Sequence, residues 1–387
     1  MSTCANKLSC AAVTVNADPD IAGTGVILAF LISAWSSLVI ITVEYFSLHG
    51  DDVNFNSNAL DELLKGYIWK LTKRFSKPWT LGEVQPAILL VSDQQLITGI
   101  AILTVGYIQH CTISQYHFYI VYLLGFMSSQ VYDASLHALN LYVNRRPSMK
   151  LWRVILMNIL FGMLIFNAFV VDHDEFLVYE DDDDIWYLGS STQCVWNNFI
   201  GTSHYRSSLL DLILSLIVLI WAYLGDMQLF YPHIFKPLDW FIRVIQTPLL
   251  GLLRFHDYIS ERMSGAEPPS IGAHRVDTET NPGATCSMNS FPRKLSHIPL
   301  LIIQFSIWFL LLPSFTLIEI LTSRIVDLWR IYSALLWATI SVIKLGKYAS
   351  SHQSIQGDES GWGFGQILPL LLLLLPATSV LEIYQGE

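Results

Sequence analysis

Long, nearly uncharged runs separated by short polar segments lay out the plan of this chain. Residues 25–43 hold no charged side chain, and Glu44 closes the run. As a helix such a run is long enough to span the roughly 30 Å of hydrocarbon in a bilayer. Comparable runs follow at about 92–110, 116–138, 154–171, 207–229 and 298–318, then at 331–343 and 362–381. The seventh is the weakest, because Arg330 and Lys344 flank its uncharged centre and must snorkel if it spans. Two stretches show helical spacing of apolar positions instead. In 49–87, Leu60, Leu64, Tyr67, Leu71 and Phe75 recur every three or four residues. In 231–263, Phe235, Leu238, Phe241, Ile245, Leu249 and Leu252 alternate with Lys236, Arg243 and Arg254, interrupted by Pro237 and Pro248. Both read as amphipathic helices on a membrane surface or against the bundle. The expected fold is all-α: a polytopic transmembrane helical bundle of about eight crossings, seven as the alternative, with two cytosolic amphipathic helices.

The same pattern sets the organisation. Residues 1–22 form an extracytoplasmic tail, and 23–231 the first five crossings, with the amphipathic inner loop 49–87 and the acidic outer loop 172–206. Residues 232–296 combine the second amphipathic segment with a Ser-, Pro- and Gly-rich linker, read as disordered. Residues 297–387 carry the last three crossings, with Pro313 a kink. Ser92 followed by Gln95 has the form of a capping box opening the second crossing, with Asp93 in its first turn. Gly99, Ala101 and Gly106 are small enough to let another helix approach. Asn144-Arg145-Arg146-Pro147 reads as a hairpin that Pro147 stops, with Trp152 an interfacial anchor and Arg153 a cytoplasmic charge.

The wording SDQQLITGIAIL, CTISQYHFYIVYL and RRPSMKLWRVILM, with the tail WGFGQILPLLLLLLP, resembles a group of multi-pass integral membrane proteins of filamentous fungi. The resemblance covers the central crossings and the tail. It implies a membrane fold and a fungal source, and it attaches no chemistry to any residue.

Composition agrees with the membrane reading. The chain is 14% charged, against roughly 25% in soluble domains. Its 12 Trp and 17 Tyr suit interfacial belts, and a net charge of −10 argues against nucleic acid as a partner. Lys and Arg gather in 49–87, 139–153 and 231–296, whereas 110–115 has none and 172–206 and 322–327 only Arg206 and Arg324. That alternation places the N-terminus outside. Lys7 is the first basic residue and a mixed polar stretch to Asp20 separates it from the apolar run, so the first crossing is read as an uncleaved signal anchor. Partners are the lipid bilayer and a cytosolic protein met through 49–87 and 232–296; the plasma membrane is the expected location.

Candidate chemistry is sparse. Cys111 and Cys194 both fall in loops expected outside, where thiols oxidise, and are read as a disulfide pinning the acidic loop over the bundle. With an N-out helical core, this resembles the architecture of G-protein-coupled receptors. The third crossing, however, ends LNLYVNRRP, without the acidic-Arg-aromatic triplet of rhodopsin-like receptors. Asp133 and His137, one helical turn apart, form the intramembrane polar pair. A relay role is weighed against an interfacial charge meeting Arg145, Arg146 or solvent, and the latter is preferred. Asp211, Glu319, Asn158 and Asn167 are further polar positions able to line a cavity. The acidic run around Asp181–Asp184 lacks EF-hand spacing and reads as solvated. No catalytic motif, metal site or cofactor site is expected. The functional expectation is a non-catalytic receptor-like or scaffolding membrane protein, with a small-solute transporter and a lipid-modifying membrane enzyme as alternatives.

Overall fold

The computed structural model describes residues 14–47, 61, 63–64, 66–67, 81–171, 189, 191–193, 205–231, 309, 313, 316, 323–351, 355–359 and 361–374. The chain divides into two compact units, and nearly all described residues belong to the one formed by 1–57, 61–235 and 324–387. The other, 58–60 and 236–323, falls almost entirely outside them, as do the expected crossing at 298–318, the second amphipathic segment and the acidic loop.

The described unit is mostly helical. It comprises β1 (Val15–Asn16), α1 (Pro19–Ala22), α2 (Thr24–Ser47), α3 (Leu81–Ile108), α4 (Gln115–Asn144), α5 (Pro147–Val171), α6 (Tyr205–Phe230), α7 (Arg324–Ser351), β2 (Ile355–Gln356) and α8 (Phe364–Leu372). Four of its helical stretches are long and apolar enough to cross a membrane: Pro19–Phe46, Gln85–Ile108, Pro147–Val171 and Arg324–Ser350.

Helix α4 is the axis of the unit, packed against α2, α3, α5, α6 and α7. Tyr116 through Leu124 are all buried, so this helix shows the unit no solvent-facing stripe. Ser114 caps it, its hydroxyl accepting from the His117 N–H at 3.3 Å. The chain leaves at Arg145, and Pro147 opens α5 rather than merely ending α4, since a first-turn proline forfeits no helical hydrogen bond.

Helix α3 begins at Leu81, well before the expected start at 92, so Ser92 and Gln95 are not a capping box. Mid-helix, their backbone N–H groups have helical partners and the side chains turn to neighbouring helices. Ser92 Oγ lies 2.5 Å from Ser135 Oγ, and Gln95 accepts from Ser128 Oγ at 3.1 Å while donating to Ser33 Oγ. Close approach of α3 and α4 depends on glycine. A Cβ on Gly99 would stand 2.6 Å from Ser128 Cβ, and one on Gly125 would stand 2.8 Å from the Leu103 side chain. Gly106 also faces α4, but Ala101 is exposed and takes no part.

The weak seventh run is a long helix, α7. Its first backbone donors, Arg324 N–H and Ile325 N–H, reach the Asp61 carboxylate at 3.2 and 3.3 Å. Thr42 meets Tyr332, and Trp35 donates to Thr339, so α7 runs antiparallel to α2. Asn144 donates to Leu229 O, and Arg324 donates to His137 O, so the end of α6 and the start of α7 lie at the α4–α5 hairpin end of the unit. This departs from the alternation read from charge, which set 322–327 opposite that hairpin.

The N-terminal segment is not a free tail. Val15, Ile21 and Ala22 are buried, and β1 pairs in parallel with β2 in the register Val15–Ile355. Gly357 has φ of 108° with Ala17 against it, a backbone conformation that excludes most side chains. Gln366, fully buried on α8, accepts from Gly25 N–H at 3.0 Å, and Gln94 of α3 donates to Leu372 O at 3.1 Å. The tail enters the bundle, and its continuation beyond Leu374 lies outside the described residues.

Candidate functional site

A buried charged cluster forms where α4, α6 and α7 meet. Asp133 and His137 share a face of α4, as their spacing implies: Nδ1 of His137 is 3.0 Å from Asp133 O and 3.3 Å from Asp133 Oδ1. The cation expected to answer Asp133 was Arg145 or Arg146. Both are exposed at the hairpin, three turns on and roughly 18 Å along the helix, where Arg146 covers the Tyr142 ring. Arg330 of α7 answers it instead, with Nη2 2.6 Å from Asp133 Oδ2. Arg330 therefore does not snorkel; it points into the bundle.

Asp226 of α6 is one of the members that the sequence did not single out. It is 6% exposed, Asp133 is 4% exposed, and donor atoms of Asp133, His137 and Asp226 lie within 4.8 Å of one another. Asp327 stands 3.9 Å from both His137 Nε2 and Arg330 Nε. Arg324 closes the cluster toward the α7 start and faces Glu44, Asp61 and Asp327. Five carboxylates thus surround two guanidiniums and the His137 imidazole; Oδ1 of Asp133 faces His137 at 3.3 Å outside hydrogen-bond geometry, and Oδ1 of Asp226 makes no hydrogen bond among the described residues. A buried oxygen left in that state costs free energy unless something else takes it up.

The remaining candidates fall elsewhere. Asn158 donates to Val154 O and accepts from Tyr223 OH, both at 2.6 Å, so it ties α5 to α6. Asn167 is fully buried, and the side chains of Asp211 and Glu319 lie outside the described residues. Arg153, expected as a cytoplasmic charge, is buried and pairs with Asp93 of α3 at 2.5 Å, whereas Trp152 is exposed as expected of an anchor. At the opposite end, Ser191 bridges Ser114 and donates to Cys111 O at 3.0 Å, laying 191–193 across the α3–α4 turn. Cys194 follows outside the described residues.

Long apolar helices packed round a helix with a buried charge cluster define a helical membrane protein. No family model matches the chain, and no solved structure matches it. It is similar to the Elsinochromes biosynthesis cluster protein HP3 of Elsinoe fawcettii, at 34% identity over 115 residues. That match covers 30% of this chain and 44% of the relative's length.

Proposed function

We propose that this protein is a carrier of a small solute, coupled to a cation taken up at the Asp133–His137–Asp226 cluster. The observation that supports the reading is the surplus of carboxylates over guanidiniums, with Asp226 Oδ1 lacking a hydrogen bond among the described residues beside the Asp133–His137 pair. Ionisable groups inside a membrane bundle mark ion pathways and relays more often than scaffolding. The relative's printed name ties it to a biosynthesis cluster, which favours a small-molecule role, and its fungal source agrees with the group that the sequence resembles. A receptor-like or scaffolding role is the second reading, supported by the segment 191–193 strapped over the bundle and a proposed Cys111–Cys194 disulfide holding it. Non-reducing peptide mapping should find those two cysteines in one linked peptide; two free thiols would end that proposal.

The test is current across a supported membrane carrying reconstituted protein, stepped in pH and in a panel of small organic solutes. Transient currents are expected from the wild type and not from Asp226→Asn. Silence of the wild type throughout would reject the carrier reading and favour the receptor-like one. For topology we propose an extracytoplasmic N-terminus and seven crossings, α2 to α7 plus the tail from α8. The hairpin end, with Arg145, Arg146 and Lys150, then faces the cytosol. Eight crossings would need 232–322 to contribute two and the tail to stop short. A reporter after Ser351 should read outside and one after Glu387 inside; both outside would mean that the tail stops short and would reject the seven-crossing count.

A further inference from the structure

We propose that Asp133, His137 and Asp226 bind one divalent transition-metal ion, of the Zn²⁺ or Mn²⁺ class. This rests on the carrier reading only in that it names the coupling cation; the site itself stands on geometry. Three donors from two helices, a His137 nitrogen and one oxygen each from Asp133 and Asp226, lie within 4.8 Å of one another. Zn²⁺ holds such donors at about 2.0–2.2 Å, so binding would draw these three side chains inward by less than about 1 Å. Both carboxylates are more than nine-tenths buried, and each presents an oxygen with no hydrogen-bond partner among the described residues. Asp133 is held by its other oxygen: Arg330 Nη2 grips Oδ2 at 2.6 Å, which fixes the carboxylate with Oδ1 turned toward His137 Nδ1, 3.3 Å away, on the side where the ion would sit. Fixing of this kind, by a partner behind the ligand, is how metal sites orient their donors.

Charge points the same way. Asp133, Asp226, Asp327, Asp61 and Glu44 face Arg324, Arg330 and His137, so acidic groups outnumber basic ones where a divalent ion would sit. One imidazole nitrogen with two carboxylate oxygens is a borderline donor set. It suits Zn²⁺ or Mn²⁺ better than Ca²⁺, which takes six to eight oxygens, or Cu(I), which selects sulfur. Three protein donors would leave coordination positions open.

The experiment is equilibrium binding to the full chain, purified in detergent and stripped with a chelator. Mn²⁺ is titrated and its free fraction read by electron paramagnetic resonance; Zn²⁺ is then tested as a competitor. One ion per chain is expected, with affinity lowered at least about tenfold by Asp226→Asn and by His137→Ala. Glu359→Gln, at the far end of the bundle, should bind as the wild type does. No binding by the wild type, or unchanged binding by Asp226→Asn, would overturn the proposal. If the variants do not fold, Co²⁺ absorption of the wild type decides: bands of mixed nitrogen–oxygen coordination support the site, and a spectrum of hexa-aquo ion alone removes it. Binding without solute currents would sink the carrier reading and spare the metal site; currents without binding would do the reverse.

Discussion

Two of the buried polar regions on helix α4, the seam with α2 and α3 and the cluster with α6 and α7, differ in how well they are satisfied. Against α2 and α3 the helix presents Ser128 and Ser135, matched by Gln95, Ser33 and Ser92 in uncharged hydrogen bonds. None of these side chains has an unpartnered buried atom. Against α6 and α7 it presents Asp133 and His137, where Arg330 answers one Asp133 oxygen, His137 stands 3.3 Å from the other, and Asp226 Oδ1 stays open among the described residues. A closed set of neutral hydrogen bonds positions helices, and close-packed glycines alongside it fit that purpose. An open set of charges is expensive for a fold to keep, and it persists where something beyond the fold occupies it. Burial and polarity alone would rank the two regions together; counting partners separates them.

The comparison breaks most sharply at Arg330. Arg330→Ala would leave Asp133 buried with its Oδ2 unanswered, and removal of one partner of a buried ion pair costs about 3–5 kcal/mol. Unfolding of the detergent-purified protein should register that loss. The double variant Asp133→Leu with Arg330→Leu should recover much of it, since it leaves no stranded charge. If the single change proves nearly neutral, the pair does not hold α7 in place.

The next effect lies on the neutral side. Gly99→Ala sets a methyl 2.6 Å from Ser128 Cβ, a contact that requires α3 and α4 to separate. Overpacking of this kind costs about 1–3 kcal/mol. Gly162→Ala on α5 has nothing within 4 Å of the new methyl and should be neutral or stabilising by up to about 1 kcal/mol, from helix propensity. Equal behaviour of the two variants in thermal unfolding would mean that close approach at Gly99 is not what sets the α3–α4 spacing.

Much of the helical plan was legible from the chain because uncharged length is a local property. The run at 25–43 became α2, and the hairpin at Asn144–Pro147 fell where Asn and Pro placed it. Asp133 and His137 were legible as a pair for the same reason, being neighbours on one helix. Arg330 was not, since its partner is 197 positions away and the rotation of α7 about its own axis is written nowhere local. Asp226 was hidden likewise, and the direction of α7 with it, because that is settled by what Arg324 and Tyr332 meet on α4 and α2. The capping box misled because Ser and Gln three residues apart look the same at a helix start and in a helix–helix seam. Only the extension of α3 back to Leu81 tells them apart.

Gln95 offers the finest test. Its amide gives to Ser33 and takes from Ser128, so Gln95→Leu deletes two interhelical hydrogen bonds while keeping an apolar side chain of similar reach. In water a lost buried bond leaves a donor stranded. Here Ser128 keeps an alternative, because its Oγ also reaches Leu124 O at 3.1 Å, and the Ser33 hydroxyl can turn to a carbonyl one turn back, as hydroxyls in helices readily do. Interhelical hydrogen bonds in membrane proteins average about 0.6 kcal/mol, so the loss should be about 1 kcal/mol in all. Mn²⁺ binding should not change, since the seam shares α4 with the cluster but no donor. A loss as large as that of Arg330→Ala, or a loss of metal binding, would show that the two regions act as one network and that partner counting does not divide them.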